Sequence, residues 1–127
     1  MFKIDSATKQ INITRGDIGT ISISVKNKDG EDYTFQVGDV IRFGVFTAKK
    51  YTEIILQKDV EVLEATTSVD LELDSTDTTI GDIINKPTEY WYEIQLNPDT
   101  EPQTIIGYDE KGAKIFKLYP EGIKEEW

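Results

Sequence analysis

Apolar and polar residues alternate with a period of two over much of the chain, and this alternation restricts the possible fold more than any other feature. It begins in Ile11-Asn12-Ile13-Thr14 and is clearest in Thr20-Ile21-Ser22-Ile23-Ser24-Val25, where large aliphatic residues exchange with serine. A strand turns successive side chains to opposite faces, so this is the pattern of a sheet with one buried face. The rhythm returns in Val40-Ile41-Arg42-Phe43-Gly44-Val45-Phe46, in Ser68-Val69-Asp70-Leu71-Glu72-Leu73 and in Tyr90-Trp91-Tyr92-Glu93-Ile94-Gln95-Leu96. Gln103 to Gly107 and Ala113 to Leu118 read as the last strands. Between them, Glu53 to Val62 forms a long strand candidate with Leu56, Val60 and Val62 in phase; Lys58 shares that phase, so a bulge is expected there.

The breaks between these runs carry turn chemistry. Gly16 and Asp17, in Arg15-Gly16-Asp17, read as a tight connection in which the glycine takes a positive φ and the aspartate satisfies turn amides. Asp29 and Gly30 supply a hairpin turn leading into a strand over Tyr33-Thr34-Phe35. Thr47 to Thr52 is expected as a loop, and Asn97-Pro98-Asp99 and Asp109-Glu110-Lys111-Gly112 as turns. Asp74-Ser75-Thr76-Asp77-Thr78-Thr79-Ile80-Gly81 has a capping residue, an acid in its first turn and a closing glycine, which predicts one helical turn.

Eight or nine short strands with almost no helix predict an all-β fold, specifically a two-sheet antiparallel β-sandwich, immunoglobulin-like or related, with a closed barrel as the lesser alternative. The whole chain, 1–127, is expected to form one domain with its core over about 11–118 and extensions at 1–10 and 120–127. The expected interior is Ile21, Ile23, Val25, Ile41, Phe43, Val45, Leu71, Leu73, Ile94, Leu96, Ile115 and Leu118.

Composition narrows the chemistry. Histidine and cysteine are both absent, which removes the usual general base near neutral pH, the thiol nucleophile and the common zinc ligands. No cofactor, metal or catalytic residue is therefore expected. A net charge of −10 opposes nucleic acid and anionic membrane surfaces, and no apolar run approaches the roughly 20 residues of a membrane span. Met1-Phe2-Lys3-Ile4-Asp5 lacks the apolar stretch of a signal peptide, so synthesis in a reducing cytoplasm is the expectation.

Several constellations have sharper and blander readings. Arg15-Gly16-Asp17 spells an integrin-binding tripeptide, but ordinary turn chemistry accounts for it. The acidic loops Asp29 to Asp32, Asp74 to Asp77 and Asp109-Glu110 lack the ligand spacing of a calcium loop and read as solvated turns. Glu89 and Glu93 are two of 24 acids, with nothing to select them as a glycosidase pair. In Tyr90-Trp91-Tyr92 the outer two residues share a face and Trp91 takes the other, making Trp91 the better contact residue, with sugar stacking as the sharper reading. Ile54 and Ile55 lie in a stretch guarded only by Glu53, a candidate pairing edge, and Trp127 is a candidate apolar anchor at the chain's end.

The order of segments resembles small β proteins of tail and baseplate modules in phages of Gram-positive bacteria, in particular the N-terminal domain of baseplate upper proteins. Ile11-Asn12-Ile13-Thr14-Arg15-Gly16-Asp17, Gly19-Thr20-Ile21, Val37-Gly38-Asp39-Val40-Ile41-Arg42-Phe43, the acidic turn near Asp77-Thr78, the strand Tyr90 to Leu96 and Thr104-Ile105-Ile106 carry it, across about 11–118. The resemblance implies a sandwich domain that anchors to other virion proteins without catalysis. It implies a stand-alone structural or adaptor part of a phage or prophage tail, made in the host bacterial cytoplasm and carried in the virion, in contact with other tail and baseplate proteins or with copies of itself. No functional site transfers residue by residue. The alternative reading, of a different class, is a carbohydrate-binding β module using exposed aromatics.

Overall fold

The computed structural model describes residues 2–4, 9–26, 30–47, 50–80, 86–107 and 112–121. They are mostly β. The strands are β1 (Phe2–Ile4), β2 (Ile11–Thr14), β3 (Gly19–Ile23), β4 (Val40–Thr47), β5 (Lys50–Glu61), β6 (Val69–Leu73), β7 (Thr88–Leu96), β8 (Gln103–Ile106) and β9 (Lys114–Tyr119), with one helical turn, α1 (Ser75–Thr78). Seven strands form one sheet in the order β1-β2-β9-β7-β4-β5, with β8 alongside β7, while β3 and β6 form a second sheet. Because the larger sheet's order has two ends, it is open and not a barrel among the described residues.

Strand parity decides the core. In β4, Ile41, Phe43 and Val45 are buried and face Leu96, Ile94 and Tyr92 of β7 across the ladder. On β9, Phe116 and Leu118 point the same way, opposite Tyr90 and Thr88. In the smaller sheet, Ile21 faces Leu71 and Ile23 faces Val69, all buried, and the two sheets contribute to one apolar cluster. Phe43 lies at its centre, with its ring 5.7 Å from that of Tyr92 and 6.2 Å from that of Phe116.

Ten of the twelve residues expected in the interior are buried. Val25 is only partly buried, and Ile115 belongs to the opposite face, because its ladder partner is Trp91 while inward Tyr90 pairs with Phe116. The expected antiparallel arrangement also fails at one place: β2 runs parallel to β9, pairing Ile11 with Phe116 and Ile13 with Leu118. Two strands about a hundred residues apart can meet in either direction, and no short turn forces the antiparallel one. Phe2–Ile4, within the segment expected as an extension, pairs with β2 as an edge strand.

Gly16 takes the positive φ expected of it. Asp17 N donates to Thr14 O at 3.0 Å and Gly16 has φ +88°, the conformation of a glycine at the third position of a type II turn. Gly30 has φ +80° and Tyr33 N donates to Val25 O at 2.7 Å, so the chain reverses there; Asp29 lies outside the described residues. The strand expected over Tyr33-Thr34-Phe35 is reduced to a single bridge, Phe35 to Thr66, because Phe35 leaves the hairpin to bury its ring. The loop expected at Thr47 to Thr52 is shorter, since β4 runs through Thr47 and β5 begins at Lys50. Asn97, at φ +50°, opens the turn closed by Thr100 N on its carbonyl at 3.2 Å. The Asp109 turn lies outside the described residues.

This register makes a direct prediction. Phe43→Ala should lower unfolding free energy by about 3–5 kcal/mol in urea melts, whereas Ile115→Ala, on the outer face, should cost clearly less. Equal costs would show that β9 is turned the other way.

Candidate protein interface

β5 is the terminal strand of the large sheet, and among the described residues no strand pairs with its second edge. From Glu61 to Leu56 it pairs in unbroken register with Val40 to Val45. The register then shifts, so that Ile54 faces Phe46 and Ile55 is the extra residue. The bulge is therefore three residues from its expected site at Lys58. Lys58 needs none: opposite buried Phe43 it lies on the inner face, and its ammonium donates to the Asp77 carboxylate.

Asp77 belongs to the helical turn. Asp74 caps α1 by accepting from Asp77 N at 2.8 Å, while the Asp77 side chain accepts from Asp74 N at 2.9 Å, a reciprocal capping box. Desolvation alone would raise the Asp77 pKa, but the Lys58 ammonium and the Asp74 amide outweigh it and hold the carboxyl below its ordinary value of 3.8.

Ile54 and Ile55, expected at a pairing edge, are exposed there, at 44% and 36%. The sequence did not point to two further apolar residues at the other end of β5. Leu63 (75% exposed) follows the strand, and Val37 (69%) sits beside Gly38, whose N–H donates to Val62 O at 3.0 Å. That turn is held firmly. Val62 N donates to Asp39 O at 2.8 Å, and the Asp39 carboxylate accepts from Gln36 N (2.9 Å), the Tyr33 hydroxyl (3.1 Å) and Asn97 Nδ2 (3.2 Å). Of the five large exposed hydrophobics among the described residues, Ile54 and Ile55 lie in β5 and Leu63 directly after it, Val37 precedes β4, and the fifth is Ile18.

The outer face of the large sheet has an apolar row. In register from edge to interior, Ile54 faces Phe46, Phe46 faces Trp91 and Trp91 faces Ile115. Gly44 makes space for it, since a Cβ there would lie 3.3 Å from Ile54 Cδ1 and 3.4 Å from the Phe46 ring. Trp91 is accordingly half-buried in a row, and Tyr90 packs against the core on the other face. Ile54 and Trp91 are joined through Phe46, while Trp127 lies outside the described residues.

Gly16 and Asp17 follow β2, beside α1 and the segment after β9. Arg15 is buried, its guanidinium donating to Glu121 Oε1 at 2.7 Å and to Ile80 O at 3.3 Å, and Asp17 O accepts from Thr78 Oγ1 at 2.7 Å. The tripeptide is a structural lock joining the end of β2 to the segments after α1 and β9. Neither a protein-family model nor a curated protein sequence matches the chain. Among the described residues no group of three or more acidic side chains could hold a metal ion, and every buried side-chain nitrogen and oxygen has a partner.

Two measurements check this electrostatic account. A depressed Asp77 pKa contributes stability that is complete above about pH 4 and lost as pH falls through the lower folded value. Asp77→Asn should therefore be less stable than the parent at pH 7, with the difference shrinking in melts below pH 4; a constant difference would dismiss the Lys58 pairing. Arg15→Met should lower stability by about 3 kcal/mol, leaving Glu121 without its charge partner, and an unchanged urea midpoint would refute the lock.

Proposed function

We propose that this protein is a non-enzymatic structural or adaptor component that works by assembling with other proteins, its two sheets stacked as a sandwich-type domain. The carrying observation is the exposure of Ile54 and Ile55 on the terminal strand β5, with exposed Leu63 directly after it. Soluble chains normally guard such an edge with proline, charge or very short strands; β5 has 12 residues and no proline, and of its exposed charges Glu53 adjoins Ile54 while Asp59 and Glu61 lie away from Ile54 and Ile55. Leaving large apolar side chains in water on and beside an unpaired strand is costly unless something covers them. A phage or prophage tail is the assembly that the likeness to baseplate proteins favours, with other tail proteins or further copies of this chain as neighbours.

Trp91, between Phe46 and Ile115, is the residue on which a carbohydrate-binding role would depend. The two readings separate on binding. Light scattering at rising concentration, with pull-down of tail proteins encoded beside this gene, should detect association, and Ile54→Asp should reduce it several-fold. A strict monomer that captures none of those proteins, yet binds glycans on an array and ceases to do so as Trp91→Ala, would overturn the assembly reading.

A further inference from the structure

We infer that the free edge of β5 receives an extended strand from a different protein, one carrying lysine or arginine between its apolar residues. This rests on the assembly reading and adds the mode of contact and the chemistry of the partner. The mode follows from the backbone: Leu56 to Glu61 keep unbroken register with β4, so the other side of the same stretch offers the regular spacing of amides and carbonyls that a further strand needs. The bulge at Ile55 interrupts that ladder at one end, and β5 ends at Glu61 at the other.

The side chains identify the partner. Lys58, an inward charge of the kind that protects sheet edges, is drawn to Asp77 and does not oppose an incoming strand. Glu53, Asp59 and Glu61 are the exposed charges on the described side chains of β5, and all three are acidic. Asp59 is bound by Arg42 at 2.9 Å and 3.0 Å, and that guanidinium also reaches Asp99 at 3.1 Å, so one arginine is shared between two carboxylates. A second copy of the chain would bring acids against acids, on a protein already at −10. A basic strand meets them with opposite charge, while its apolar residues cover Ile54, Ile55 and Leu63.

The test uses the full chain and a blocked synthetic peptide alternating valine with lysine. It should bind, weaken as salt is raised, and slow hydrogen exchange of the Leu56–Glu61 amides about tenfold or more. A version with glutamate for lysine should fail, and so should a lysine version N-methylated at every residue, which keeps the charge and has no amide hydrogen to donate on either edge. Ile54→Asp and Leu63→Asp, both on exposed positions, should weaken binding with the circular dichroism spectrum unchanged. Equal binding of the N-methylated peptide, or protection elsewhere than β5, would overturn strand addition. Slowed exchange of β5 at rising protein concentration without peptide would make a second copy the occupant and overturn the basic partner. Failure of the peptide alongside capture of tail proteins through other surfaces would remove this inference and leave assembly standing.

Discussion

β7 hydrogen-bonds along both sides, to β4 on one and to β9 and β8 on the other, and this commits each of its residues to one of two faces. Tyr92, Ile94 and Leu96 are thereby fixed inward with Phe43 and Phe116, and Trp91, Glu93 and Gln95 outward. A slip of one residue would exchange these sets, burying two polar side chains and a tryptophan in place of three apolar ones. The core, the outer row through Phe46 and the position of β5 at the sheet's end all follow from that commitment.

Where a strand's own alternation carries the information, the sequence was sufficient: β3, β4, β6 and β7 are legible from one face each, and so are the Gly16 turn and the Asp74 cap. What alternation does not encode is the partner. The parallel β2–β9 ladder joins segments with no connecting turn between them, and β1 is too short to show a period. Ile115 was misplaced because Ile115 and Leu118 differ in parity, and only the pairing with β7 says which belongs inside. Lys58 broke an apolar phase in the sequence, yet its ammonium finds a carboxylate nineteen residues away, so the strand stays regular. Of the candidate interface, Ile54 and Ile55 could be read as poorly guarded residues. Leu63 and Val37 could not, since they lie in the connections flanking β5 and β4, where no alternation assigns a face.

The polar ties have a common effect on the edge. Arg42 holds Asp59 and Asp99, Lys58 holds Asp77, and Asp39 gathers Gln36, Tyr33 and Asn97. Of these, the exposed ion pairs of Arg42 add little to stability. The larger consequence of the ties is positional: both basic side chains described near β5 are occupied with carboxylates of this chain. The edge thus keeps its acidic character although two cations lie within reach of it.

An open edge and a strong net charge answer different hazards. Like charge slows indiscriminate association of identical chains over distances up to about a Debye length, roughly 8 Å at physiological salt. It does nothing to satisfy backbone groups on β5 or to cover Ile54, Ile55, Leu63 and Val37. Those need a partner at contact distance, and the acidity that keeps copies apart also selects which partner approaches. In the proposed assembly, charge would act as a filter on the apolar edge, which has neither the proline nor the shortness that would prevent a productive contact.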